Sequence, residues 1–137
     1  MFNLKRIING RVNVSEPIVM ASGVSTKTTF NEGTAVAFTA GVLGVASGDK
    51  TAEYIVAKTT ECAAPSDRVP LILVTPDMLF EAPLSAAPTS MKVAGQYTLG
   101  TDGTDVTDTA VTNGKGAYVV DLCDATASGD TILVRLA

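Results

Sequence analysis

The sequence predicts an all-β protein, a small β-barrel or sandwich with an extended N-terminal arm and a closing C-terminal hairpin. Three observations predict it. Ala117-Tyr118-Val119-Val120-Asp121-Leu122-Cys123 and Thr131-Ile132-Leu133-Val134-Arg135-Leu136 are β-rich runs flanking a loop of turn formers, Asp124 to Asp130. No window of about eleven residues or more carries apolar side chains at helical spacing. The 46% hydrophobic content is mostly Val, Ala, Ile and Leu with only 5% aromatics, which suits pleated sheets, and 12 Gly with 6 Pro supply frequent turns. At 137 residues the chain fits one domain, divided here into an arm, residues 1–14, and a single β domain, residues 15–137.

Along the chain, the arm leads to a first strand at Arg11 to Val14. Pro17 allows an edge strand, Ile18-Val19-Met20-Ala21. Ser22 to Gly33 reads as a polar loop. Strands follow at Thr34 to Thr39 and Gly41 to Val45, with a returning strand at Glu53 to Thr59. Glu61 to Arg68 is a connection. Val69 to Thr75 is the most apolar stretch, expected to be buried on both faces, with a donor missing at Pro70. Pro76 to Pro83 is either one helical turn or another strand, and Leu84 to Ser90 a linker. In Lys92 to Leu99, alternation puts Val93, Gly95, Tyr97 and Leu99 on one face and Lys92, Gln96 and Thr98 on the other. Asp105 to Thr112 is an irregular strand, Asn113-Gly114 a turn. In the last strand Ile132, Val134 and Leu136 face inward and Arg135 outward. The tetrapeptide Ala46-Ser47-Gly48-Asp49 recurs at Ala127-Ser128-Gly129-Asp130, again between apolar runs; four such common residues recur easily by chance, and an old duplication is the lesser reading.

The chain carries no His, so the commonest general base near neutral pH and the commonest metal ligand are missing, and Ser–His or Cys–His nucleophile pairs are excluded. The expectation is a protein that is not an enzyme, with no catalytic, cofactor-binding or metal-binding residues and no cofactor. Asp102, Asp105 and Asp108 recur every third residue among threonines. Oxygen ligands of this kind suit Ca²⁺, but the spacing is not that of a known calcium loop, and a solvated turn-rich loop is the simpler reading. Glu53, Glu61, Asp77 and Glu81 are read as surface charge rather than paired catalytic carboxylates. Gly41 and Gly44 lack the lysine and helix of a phosphate loop, and Ser22-Gly23 lies in no nucleophile elbow. Cys62 and Cys123 belong to no Cys-x-x-Cys pair; two buried free thiols are expected, with one disulfide between them the alternative. Tyr54, Tyr97 and Tyr118 all fall within predicted strands, which favours packing over ligand stacking.

Charge is uneven. Lys5, Arg6 and Arg11 give the first eleven residues +3 against the chain's −4, so the remainder carries −7. An acidic body argues against binding nucleic acid. Ile7-Ile8, broken by Asn9-Gly10-Arg11, is too short for a signal peptide's apolar segment, and no run approaches a membrane span, so neither secretion nor a membrane partner is expected.

The tail, Gly114 through Leu136, and above all Gly-Asp-Thr-Ile-Leu-Val-Arg-Leu at Gly129 to Leu136, resembles the closing stretch of head decoration (cement) proteins of tailed bacteriophages. The likeness covers about residues 95–137, with a weaker echo at 41–58, and Glu61 to Ser90 departs from it. It implies a structural virion protein that decorates the capsid exterior after assembly in the host cytoplasm, bridges major capsid protein subunits, and forms a homotrimer. Charge and position, rather than the resemblance, point to a capsid-binding arm: Phe2, Leu4, Lys5, Arg6, Ile7, Ile8 and Arg11. The alternative is an adhesion or ligand-binding β module of a phage fibre or cell-surface protein.

Overall fold

A computed structural model describes residues 1–7, 16–111 and 114–136, with only the backbone of Arg6 and Ile7. The expected first strand at Arg11 to Val14, and Asn113 of the expected turn, lie outside the described residues. Those described contain thirteen strands and no helix. They are β1 (Asn3–Ile7), β2 (Ile18–Ala21), β3 (Thr28–Phe30), β4 (Ala35–Thr39), β5 (Val42–Val45), β6 (Tyr54–Val56), β7 (Thr60–Cys62), β8 (Arg68–Leu73), β9 (Met78–Pro83), β10 (Gln96–Leu99), β11 (Val106–Ala110), β12 (Ala117–Asp121) and β13 (Thr131–Leu136).

A six-stranded sheet runs β1-β9-β13-β12-β10-β11, a five-stranded sheet β2-β8-β6-β4-β5, and β3 with β7 makes a two-stranded ribbon. All strand pairs are antiparallel. Neither large sheet closes on itself, so the chain belongs to the all-β sandwich class and not to the barrels. The terminal hairpin forms as expected: β12 pairs with β13, and Ile132, Val134 and Leu136 are buried while Arg135 is only half-buried. Its place is the middle of the six-stranded sheet, not the edge.

Several expectations are corrected. Of the two readings of Pro76 to Pro83, the strand is the one that forms, as β9. The polar loop from Ser22 holds β3, and the connection after Thr59 holds β7, because Phe30 and Cys62 are drawn into a buried cluster. Val93 does not face the core: it is 56% exposed. Ala94 adopts φ 68, and Gly95 donates its N–H to the Lys92 carbonyl, so a turn delays the strand until Gln96. The tetrapeptide at Ala46 does not close a hairpin either. The runs on its two sides, β5 and β6, pair with opposite edges of β4, and Gly48 instead bridges to Leu99.

The repeat in this fold is a different one. In the order β2-β8-β6-β4-β5 and the order β9-β13-β12-β10-β11, the strands occupy the same positions in the same chain sequence. The registers agree as well. Tyr54↔Leu73, Ile55↔Ile72 and Val56↔Leu71 match Ala117↔Leu136, Tyr118↔Arg135 and Val119↔Val134, each residue 63 positions after its counterpart. Ile18↔Leu71 likewise matches Phe80↔Val134. The loops repeat too. Asp67 accepts the N–H groups of Ala63 and Ala64 at 2.8 and 2.9 Å, and Asp130 accepts those of Thr126 and Ala127 at 2.9 and 3.0 Å. The Asp67 carbonyl then takes the Ser22 N–H, and the Asp130 carbonyl the Leu84 N–H.

Each half buries the matching face of its sheet. Val36, Leu43, Val56, Val69 and Leu71 form the first cluster. Their counterparts Tyr97, Val106, Val119, Ile132 and Val134 lie in the second. The five-stranded sheet is covered on both sides, because Ile55 and Ala35 on its other face belong to the second cluster, and Ile72 packs against it. This is why Val69 to Ile72 reads as apolar on both faces; Leu73, expected to be buried with them, is instead 41% exposed. The halves are thus stacked, with the outer face of the first on the inner face of the second.

Two close approaches hold the turns. At Gly23, φ is 71 and a Cβ would sit 2.1 Å from the Gly41 carbonyl oxygen; at Gly116, φ is 81 and a Cβ would sit 2.4 Å from the Tyr97 carbonyl oxygen. A side chain fits at neither.

Leu71→Ala, at a position with no exposure, is expected to cost about 2–5 kcal/mol in denaturant unfolding. Backbone N–H groups hold the Asp67 and Asp130 carboxyls below the ordinary carboxylate range. Their contribution is therefore complete above that range and is lost as pH falls through the depressed folded values. Asp67→Asn and Asp130→Asn should each lower the melting temperature at pH 7 and flatten the acid limb of a stability profile, by similar amounts because the two loops are equivalent.

Candidate interaction surfaces

The N-terminal strand β1 adds to the free edge of β9, antiparallel, with a register shift between Leu4 and Arg6. Of the residues expected to touch a capsid, Phe2 is buried at 2% exposure and Leu4 packs against the same cluster. Lys5 is exposed and 3.4 Å from Glu81 across the strand pair. Arg6 and Ile7 lie in the strand; Ile8 and Arg11 lie outside the described residues. The strand is held by its apolar residues, leaving Lys5 on the surface. Alternation explains this: Phe2 and Leu4 share one face, Asn3 and Lys5 the other.

The three aspartates diverge. Thr89 and Ser90 donate to Asp108, from Thr89 N–H and O–H at 2.9 and 2.7 Å and from Ser90 N–H at 3.3 Å, and these bonds hold its carboxyl below the usual range. Burial pushes the Asp105 carboxyl up, against the pull of the Met1 ammonium, with Asp102 adding a smaller push upward. Among the described residues no three His, Cys, Asp or Glu side chains gather as a metal site. The four other carboxylates are engaged separately: Glu53 accepts the Phe38 N–H at 2.7 Å, Glu61 faces Lys27, Asp77 accepts the Thr75 hydroxyl, and Glu81 faces Lys5.

Both cysteines are free, as expected, but only Cys62 is buried. Cys123 is exposed at the centre of a tight turn where it and Asp124 have φ 52 and 59, and Ala125 donates to the Leu122 carbonyl. Partial burial and the Asp121 carboxylate push its thiol upward.

Sequence reasoning missed three surfaces. The first is a groove of about 640 Å³ between β3, β5 and the turn at Thr101–Thr104. Val24, Phe30, Val42, Leu43 and Val45 form its apolar part, and Thr26, Thr28 and Thr104 add hydroxyls. Its walls come from a strand hidden in a polar loop, so no local pattern announced it. The second is a shallower depression of about 250 Å³ on the outer face of the six-stranded sheet, lined by Leu79, Val93, Tyr118 and Arg135. Arg135 stacks over the Tyr118 ring, 4.4 Å from its centroid. Its one sequence signal was the outward Arg135. The third is apolar exposure along the outermost strands of the five-stranded sheet: Ile18 and Val19 on β2, Val42 and Val45 on β5, at 39–53%.

Millimolar Ca²⁺ should leave the melting temperature unchanged, since Asp102, Asp105 and Asp108 share no centre; a rise of several degrees would overturn that reading. A thiol reagent should label Cys123 in the folded protein, faster as pH rises toward its elevated ionisation, and Cys62 only after unfolding, as read by mass spectrometry. No family model, no curated protein and no solved structure matches this chain.

Proposed function

We propose that the protein is a structural component of a virion that decorates the outside of a phage capsid and stabilises it by bridging major capsid protein subunits. The observation that carries the reading is the pair of uncharged outer strands, Ile18-Val19-Met20-Ala21 and Val42-Leu43-Gly44-Val45, with large apolar side chains left in solvent. Folded proteins normally blunt such edges with charge or cover them. Surfaces of this kind mark contact with other protein. The capsid as partner comes from the resemblance of Gly129 to Leu136 to decoration proteins, as does the homotrimer. A protein gripping a repeating lattice gains from many weak contacts more than from one tight site. In this reading the basic lead, Lys5 and Arg6 with Arg11, faces the capsid while the acidic body faces solvent, and no enzymatic activity is involved.

A second reading, a ligand-binding β module, is favoured by the groove between β3 and β5, whose threonine hydroxyls beside apolar side chains suit a small polar ligand.

Cosedimentation with phage heads lacking their decoration protein separates the two. Saturable pelleting with the heads is expected, and Lys5→Gln should weaken it several-fold at low salt and less at high salt. Absence of head binding, with retained binding to host cells, would favour the second reading.

A further inference from the structure

The internal repeat carries an interface template. Within one chain, Ile55 and Ile72 on the outer face of the first half join the cluster that holds Phe80 and Leu136 of the second half, and Ile55, Ile72 and Phe80 line one crevice. By register, Phe80 corresponds to Ile18 and Leu136 to Leu73. Phe80 and Leu136 are buried at 0% and 1%, whereas Ile18 and Leu73 are 47% and 41% exposed. The receiving position of the second half is filled; in the first half Val24 and the β3–β7 ribbon cover the same face only in part and leave Ile18 and Leu73 about half exposed. The donor side mirrors this. Ile55 and Ile72 correspond to Tyr118 and Arg135, which lie on the outer face of the second half beside exposed Val93. So each chain shows one partly covered receiving patch and one unused donor face.

We infer that these two surfaces meet between copies: the Tyr118–Arg135 face of one chain seats on the Ile18–Leu73 patch of the next, repeating between molecules the stacking that joins the two halves within one. The occupant is a second copy because the fold itself shows which kind of surface fits that patch, the outer face of this same strand arrangement. Substituting Tyr and Arg for two isoleucines suits a face exposed in the free chain and buried on association, since both residues are enriched at the centres of interfaces. The two patches differ, so the contact is head-to-tail and propagates until the rotation closes a ring. It rests on the repeat, not on what the assembly binds.

The test uses the full chain carrying Cys123→Ser. Leu73→Cys and Val93→Cys variants, differently tagged, are mixed and treated with a short flexible bis-maleimide. A crosslinked heterodimer is expected from the mixture and from neither variant alone. Crosslinking of Leu73→Cys to itself as efficiently as in the mixture, or no heterodimer, would overturn the contact. Light scattering gives the second arm. The unmodified chain should show a multiple of its 14.1 kDa mass, and Leu73→Asp and Val93→Asp should each fall to one chain with an unchanged circular-dichroism spectrum. Either variant keeping the parent mass would also overturn the contact. A chain that associates this way yet ignores phage heads would sink the decoration reading alone; a monomer that binds heads would sink this contact alone.

Discussion

Burial of the five-stranded sheet on both of its faces is the constraint on which the rest of the structure depends. One side of β4, β6 and β8 presents Val36, Val56, Val69 and Leu71 to the first half's core; the other presents Ala35, Ile55 and Ile72 to the second half's. A residue on β6 is therefore never more than one position from a core, and neither face has polar alternation to spare. The second half depends on this arrangement more than the first. Its own cluster is completed by the first half's outer face and by Phe2 from β1, so it lacks a closed interior without them. The first half instead covers its core with the β3–β7 ribbon and Val24.

The two halves share a plan while differing at most matched side chains. Val36 has Tyr97 as its counterpart, and the larger side chain is accommodated because its hydroxyl accepts the Lys92 N–H at 2.7 Å outside the apolar cluster. Identical pairs at matched positions include Val56 and Val119, Leu73 and Leu136, and Asp67 and Asp130. Asp67 and Asp130 each tie down two N–H groups of the preceding turn, a service that Pro65-Ser66 and Ser128-Gly129 leave untouched between them. Unpaired N–H groups are costly, which gives the carboxylate at both positions a clear physical role, whereas core volume can be redistributed among neighbours, as where Val69 has Ile132 as its counterpart and Leu71 has Val134.

The repeat is hidden in the sequence because most matched positions differ. The visible twin, Ala46-Ser47-Gly48-Asp49, matches Ala127-Ser128-Gly129-Asp130 residue for residue, yet sits in a different structural role, with Gly48 bridging to Leu99 across the molecule. The true counterpart, Ala64-Pro65-Ser66-Asp67, shares only its first and last residues. Of the candidate surfaces, the basic Lys5 and outward Arg135 were legible from alternation. The hydroxyl groove and the Ile18–Leu73 patch were not, because each is assembled from strands far apart in the chain.

By itself the sequence determined the all-β class, the terminal hairpin, the inward set Ile132, Val134 and Leu136, the two-sided burial of Val69 to Ile72, and the edge position of the strand after Pro17. These follow from period-two patterning and turn chemistry, which act between near neighbours. Tertiary structure alone decided that β6 pairs with β4 and β8 and not with β5, that Val93 turns to solvent, that Phe2 enters the core, and that two halves stack face to back. Those outcomes depend on which distant surfaces complete one another's burial, and alternation along a strand states which face is apolar without stating what will cover it.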